Sequence, residues 1–463
     1  MTFVAIRADA SRAIGWGHVK RCLALAHALR EAGASPILVS RPSDVAVDAL
    51  CATAGVPLRL LPGAAKGVTA ADDAAQTMQI CLDAGGQRPA VMVVDHYGFD
   101  RRWHEPLRAR GVRLAVIDDL ADRPLAADWL IDHNPSPDHA AKYAAVLTTE
   151  ARLLVGPRHA LLDAAYARQA ARPFSAKVRS IGIFLGGTDP GGHSVDAWRA
   201  CRAAGFDGPI EIASTASSPH LAALRAATGG DRQLSITLDQ PDLAAFHARH
   251  DLEIGAGGGA TWERCCVGVP TLALVCAENQ RQALRPLAES GTVLALDMIG
   301  PEAVEPATFA SAIARLIIDA DLRQRMAAQG RALVDGQGAA RVAAALLTPA
   351  PVRHCPPFRK AQGAPMSTLA LDRTALEARV YDTIRALLED PTVVLAADTP
   401  LIGDSAALDS MKLVELCLAL EDAAADAGFE FDWTSESAMS RSRGMFRNAG
   451  ALAAAFVAQA EAA

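Results

Sequence analysis

No stretch of this sequence approaches the roughly 20 uninterrupted apolar residues that a membrane-crossing helix requires, although 51% of its 463 residues are apolar. The first residues lack a basic segment followed by an apolar run. Residues 1–6 lead straight into a strand pattern, which predicts no signal peptide and a cytoplasmic location. Cysteine is sparse too: nine residues, odd in number and scattered, with no CxxC pair. Cys265 and Cys266 are adjacent, which suits neither an ordinary disulfide nor a zinc site. Reduced, buried thiols and no metal are therefore expected. A basic run is also missing, which speaks against nucleic acid as a partner.

The charge that is present is unevenly placed. From Leu371 onward there are 16 acidic against 7 basic residues, a balance of -9. The residues before it hold 36 acids and 38 bases, a balance of +2, so the net charge of -7 belongs to the tail.

A chain of 463 residues is too long for one core and suits two or three domains. Over residues 1–165, apolar runs at 3–8, 36–40, 56–61, 91–95 and 113–118 read as strands separated by amphipathic helices. The helix over 18–31 should stop at Gly33. The pattern restarts over 166–347, with strands at 180–185, 210–214, 234–238, 252–254, 271–275 and 292–296. Apolar strands alternating with helices predict parallel sheets covered on both faces, hence an α/β chain of two Rossmann-like domains with a cleft between them. Residues 348–370 contain five prolines and read as a linker. The stretch Met366–Asp372 resembles the start of a separate protein, as a gene fusion would leave. Residues 371–463 suit one small helical domain.

Residues 7–26, Arg-Ala-Asp-Ala-Ser-Arg-Ala-Ile-Gly-Trp-Gly-His-Val-Lys-Arg-Cys-Leu-Ala-Leu-Ala, pass from strand through a loop into a helix. Gly15 and Gly17 let the backbone approach a ligand, and the helix N-terminus favours anions. His18 stands at that N-terminus, where the helix dipole disfavours imidazolium and leaves a ring able to accept a proton. Taken alone, such a histidine is more often structural, and only its place on a Gly-x-Gly-His loop facing a cleft brings the catalytic reading level. Asp95, His96, Tyr97 and Gly98 end another strand, either as ligand contacts or as a simple turn. Phe184-Leu-Gly-Gly-Thr-Asp-Pro, with Gly187, follows a third strand and suits a phosphate through its amides, although many turns use such glycines structurally. Residues 254–280 put Gly257, Gly258 and Gly259 before a helix bearing Thr261 and Glu263. The amide ends can hold a diphosphate, and Glu263 can accept both ribose hydroxyls or simply complement the helix dipole. Asn279 and Gln280 open the next helix toward the same cleft, and Arg21 joins the predicted substrate contacts from the first helix.

These blocks, together with Val-Gly-Pro-Arg-His-Ala-Leu-Leu at 155–162, occur in an order that resembles the UDP-2,4-diacetamido-2,4,6-trideoxy-β-L-altropyranose hydrolases of pseudaminic acid biosynthesis. The resemblance spans roughly residues 1–345. It implies a GT-B fold, related to the glycosyltransferase that adds N-acetylglucosamine to lipid I. It further implies hydrolysis between the anomeric carbon and the UDP oxygen without metal. His18 would activate water, Gly17 would approach the sugar diphosphate, and Asp9 and Tyr97 would position sugar or water. Gly258, Gly259 and Glu263 would hold UDP, and Asn279 would line the sugar side. His159 departs from the aromatic residue expected in its block, which bears on the sugar's substituents.

The segment Thr399–Asp422 resembles the second helix of acyl carrier proteins, whose serine in an Asp-Ser-Leu-like triplet takes 4′-phosphopantetheine. Here the triplet is Asp409-Ser410-Met411, making Ser410 the attachment candidate and Ser405 a decoy. Leu413, Leu416 and Leu420 fall at helical spacing for a small all-α bundle, after a helix predicted over 374–388. Asp409 or Ser410 could instead be a plain N-cap, but the acidic balance and the preceding helix favour the carrier reading. A phosphopantetheinyl transferase and acyl-transferring enzymes are the partners so implied. Three functions are thus open: a UDP-sugar hydrolase, a GT-B glycosyltransferase using a UDP-sugar donor, and a non-catalytic carrier scaffold.

Overall fold

Alternate residues of β1 (Thr2–Ala8) feed two different cores: Val4, Ile6 and Ala8 one, Phe3 and Ala5 the other. A strand covered on both faces has no side to show to water, which is why its sequence is almost unbroken apolar. The computed structural model describes residues 1–11, 15–63, 67–169, 174–240, 243–300, 303–348, 373–387, 395–401, 410–427, 431 and 445–462. The chain divides into two compact units, Met1–Val352 and Arg353–Ala463.

The first unit holds two parallel sheets. One is built from β1, β2 (Ala34–Ser40), β3 (Leu58–Leu60), β4 (Val91–Asp95), β5 (Arg113–Ile117), β6 (Trp129–Asp132) and β7 (Arg152–Val155), in the order β3-β2-β1-β4-β5-β6-β7. The other is built from β8 (Ile181–Phe184), β9 (Ile210–Ser214), β10 (Leu234–Leu238), β11 (Leu252–Ala256), β12 (Thr271–Val275) and β13 (Leu294–Asp297), in the order β10-β9-β8-β11-β12-β13. Each order reverses once, between β1 and β4 and between β8 and β11. At such a point the crossover helices leave in opposite directions and open a crevice at the C-terminal strand ends.

Two strands escaped the sequence pattern and one shrank. β6 and β7, of four residues each, fall where no strand was expected. The strand expected over 56–61 is confined to Leu58–Leu60, because Val56 donates back to Cys51 at a helix end and Pro57 has no N–H. The helix Gly17–Glu31 ends where expected, with Gly33 at φ +85°.

The last helix of this unit, Gly338–Leu347, follows the second sheet in sequence but packs into the core of the first. Ala339, Val342, Ala343 and Leu346 lie with Val19, Leu23 and Ala26 of the Gly17–Glu31 helix. Gly338 makes the crossing possible: a Cβ there would stand 2.2 Å from the carbonyl oxygen of Ala160.

In the second unit, the described helices are Arg373–Leu387, Ser410–Ala427 and Ala449–Ala462. Leu376, Val380 and Ile384 repeat every fourth residue and meet Leu416, Leu420 and Phe456 in one apolar core, with Leu413 at its margin. Ser410 begins its helix; Ser405 and Asp409 lie outside the described residues. No described helix is long and apolar enough to cross a membrane.

Candidate functional site

The reversal in the first sheet puts the loop after β1 beside the loop after β4. Gly15, at φ +76°, turns the chain back onto Ser11 and into the Gly17–Glu31 helix, which no side chain caps. His18 in its first turn is buried, and its Nδ1 lies 2.6 Å from Oδ1 of Asp95 at the end of β4. A carboxylate only accepts, so Nδ1 donates to Asp95 and Nε2 is the ring nitrogen left for another partner. Among the described residues, that Nε2 has no hydrogen-bond partner. This is the geometry of a general base held by an orienting acid.

Asp95, expected to touch substrate, is 1% exposed and turned inward. Arg21 grips both its oxygens at 2.5 Å, through Nε and Nη2. Burial would raise the Asp95 carboxyl, but Arg21 and His18 hold it far below the usual carboxylate range. Arg21, also expected at the substrate, is spent on this clamp and on His133 at 3.5 Å. Both residues position His18.

Asp9 changes role as well. Its Oδ1 takes Nη1 of Arg7 at 2.5 Å, the Ser40 hydroxyl at 3.1 Å and the Arg41 amide at 2.8 Å. These contacts pin the start of the loop after β1 to β1 and β2, and the other oxygen faces His96 at 3.7 Å. Burial pushes the His96 imidazole down to about 4 against the pull of Asp9. Tyr97 does flank His18, edge-on with ring centroids 4.8 Å apart, while its hydroxyl donates to Asp119 at 2.8 Å. Asn134 donates to the other oxygen of Asp119 at 3.0 Å.

In the second half, the reversal joins the loop after β8 to that after β11. Gly257 must lack a side chain, since a Cβ would meet Cδ1 of Leu284 at 2.4 Å. Gly259 starts the helix Ala260–Val267 with no side-chain cap. Among the described residues, the amides of Gly258, Gly259 and Ala260 have no partner, leaving donors for an anion. Gly187 is held by Thr215, and a Cβ on it would lie 3.6 Å from Trp16 of the first half. Asn279 is exposed at the start of the helix Glu278–Glu289. Gln280 is committed to the Cys276 amide at 2.9 Å.

Thr261 is 1% exposed, and its hydroxyl is shared between Ala256 and Arg264, so it supports the loop rather than a substrate. Glu263 keeps 18% of its side chain exposed and lies within electrostatic reach of Lys20, two residues beyond His18. Trp262 faces His133 across the cleft at 6.4 Å. His159 sits away from these groups, its Nδ1 on the Val155 carbonyl where the last helix crosses back. Among the described residues, no group of three or more His, Cys, Asp or Glu is placed to hold a metal ion.

Asp119 was marked in the sequence only as one of two acids ending a strand, with no third ligand to make a metal site. His133, Asn134 and His247 stand in no motif, and only the sheet order brings them near the loops that do. A polar residue just past a strand end was the one clue available, for Asp119, His133 and Asn134 alone.

No family model matches the chain. It is 31% identical over 200 residues to the spore coat polysaccharide biosynthesis protein SpsG of Bacillus subtilis, covering 42% of this chain and 58% of that protein. The chain thus spans less than two thirds of the length of this curated relative. Among solved structures, MurG of Acinetobacter baumannii superposes with a TM-score of 0.51 at 15% identity, over 75% of this chain and 99% of that one. The MnaA–UDP co-structure from S. aureus gives 0.52 at 13% identity, over 74% and 95%. The Neisseria meningitidis UDP-GlcNAc 2-epimerase bound to UDP-GlcNAc gives 0.52 at 11%, over 75% and 100%. At these identities the likeness establishes the fold: the two sheets form the GT-B arrangement.

Proposed function

We propose that this chain acts on a UDP-sugar, with His18 deprotonating the nucleophile that displaces UDP from the anomeric carbon. The observation that carries this reading is the buried His18, its Nδ1 held 2.6 Å from Asp95, in the same compact unit as the open amides of Gly258–Ala260. The nucleophile's oxygen forms a bond to the anomeric carbon as its proton passes to Nε2. The bond from that carbon to the diphosphate oxygen breaks, and its electron pair leaves with UDP. Amides at an uncapped helix end stabilise the charge that the departing diphosphate gains. Glu263, on the first turn of that helix, accepts the ribose hydroxyls.

Two nucleophiles are compatible with this geometry. An acceptor hydroxyl, which makes the chain a glycosyltransferase, is favoured by the superposition on MurG and by the relative's place in polysaccharide biosynthesis. Water, which makes it a hydrolase of a UDP-2,4-diacetamido-2,4,6-trideoxyhexose, is favoured by the order of the sequence motifs. Incubation with UDP-N-acetylglucosamine and with that diacetamido donor, with and without a glycan acceptor, separates them. UDP released from a donor without acceptor identifies hydrolysis, and release that requires acceptor identifies transfer. No UDP release and no UDP binding under either condition would reject the proposal.

The second unit carries a separate proposal, attachment of 4′-phosphopantetheine to Ser410. Its support is the place of Ser410 at the start of a helix in a small bundle, within an Asp-Ser-Met triplet. After exposure to a phosphopantetheinyl transferase, intact-mass measurement should show a gain for the wild type and none for Ser410→Ala.

A further inference from the structure

Behind the glycine-rich loop, a buried histidine stands between two carboxylates. His247, on the helix Ala244–Arg249, has no exposed surface, and neither does Glu253 on β11. Nδ1 of His247 lies 2.8 and 3.0 Å from the two oxygens of Glu253, and Nε2 lies 3.3 Å from Oε2 of Glu263. Carboxylate oxygens only accept, so both ring nitrogens must donate, and the ring is an imidazolium. Burial alone would drive that charge off, but Glu253 and Glu263 override it and raise His247 to about 9.

The surrounding charges agree with this assignment. Arg264 acts on Glu253 from the Ala260–Val267 helix, and His250 from the end of the His247 helix. Lys20, on the first helix, acts on Glu263, and Tyr166 gives the same carboxylate a hydrogen bond. Burial would raise Glu263, yet His247 and these neighbours hold its pKa below the usual value. The 18% of Glu263 left exposed then belongs to a carboxylate already held by His247 and Tyr166. An unsupported glutamate would have to give up its rotamer freedom on binding.

We infer that His247 is a positioning residue that sets ribose recognition: locked as a double donor by Glu253, it fixes one oxygen of Glu263 and aims the other at the hydroxyls of a bound nucleoside diphosphate. This rests on the reading that the loop 257–259 binds UDP. The sequence around His247 contains nothing that marks it, since its partners lie 6 and 16 residues away on different elements.

The test compares the binding of UDP and 2′-deoxy-UDP to the full chain by titration calorimetry, with folding followed by circular dichroism. A hydrogen bond to a charged group corresponds to about tenfold or more in affinity, so the wild type should prefer UDP by at least about that factor. In His247→Asn the carboxamide replaces Nδ1 and keeps Glu253 satisfied but no longer reaches Glu263, so the preference should fall toward one. In His247→Gln the carboxamide reaches the place of Nε2, and most of the preference should return. A folded His247→Asn chain that keeps the wild-type preference overturns the inference. Where that variant does not fold, the double variant His247→Phe/Glu253→Leu replaces it, removing the donor together with the carboxylate it would strand. Its preference should fall toward one, and a folded double variant that keeps the wild-type value overturns the inference. A wild-type chain that does not bind UDP rejects the nucleotide reading itself, whereas UDP binding indifferent to residue 247 rejects only the role of His247.

Discussion

Replacing His18 with alanine is expected to slow UDP release about 10³-fold, the usual scale for removing a positioned general base. Asp95→Asn should lower kcat by about 10²-fold with KM nearly unchanged, because it alters a residue that touches His18 and not the substrate. The two substitutions separate two roles. Alanine at position 18 removes the proton acceptor itself. Asparagine at position 95 keeps the acceptor but removes the charge that fixes the ring's tautomer at 2.6 Å. Steady-state rates of UDP release by the wild type and the two variants are the measurement. An Asp95→Asn chain with wild-type kcat would remove Asp95 from the catalytic arrangement.

The largest loss of stability should follow Asp73→Asn. Asp73 is buried and accepts from Nε and Nη2 of Arg7 at 3.1 and 3.0 Å, Nε of Arg41 at 2.9 Å and Nε1 of Trp103 at 2.9 Å. Taking away its charge leaves two buried guanidinium groups short of a counter-ion, which costs about 3–5 kcal/mol. In a body of this size, that is a fall in Tm of roughly 10 °C. Burial would raise the Asp73 carboxyl, but the Arg7 contacts win and hold it down at about 2. A depressed carboxyl contributes its stability above the unfolded value of about 4 and loses it as pH falls through the folded one. The wild-type advantage over Asp73→Asn should thus be constant above about pH 4 and shrink toward pH 2. Calorimetric scans of both proteins across that range measure it. An advantage that does not change below pH 4 would contradict the ionised pairing. The same network holds Asp9 through Arg7 and Arg41, so the variant's surviving folded fraction should also show weakened catalysis.

These two predictions differ in how far the sequence alone could reach them. His18 was legible because everything that marks it is local: a strand, a glycine turn and a helix start within a dozen residues. The three glycines at 257–259 and Glu263 were legible for the same reason, as were the strands long enough to display their apolar run. Asp73 was not, because it sits in a helix whose pattern asks only for an amphipathic face. Its partners lie 30, 32 and 66 residues away.

The sequence by itself determined the parallel α/β architecture, the positions of the glycine-bearing loops after the strands and the helical character of the tail, since each depends on patterns shorter than about 20 residues. Tertiary structure alone decided what the side chains on those loops do. Because β4, and not a nearer strand in sequence, pairs with β1 on the side away from β2, Asp95 arrives 77 residues from His18 and becomes its orienting acid instead of a substrate contact. Asp9 and Thr261, equally plausible as ligand contacts from their motifs, are consumed by loop hydrogen bonds. The helix Gly338–Leu347 crosses to the first core because its apolar face fits there. Strand order is a global property of the packed sheet, and no local run of residues encodes it.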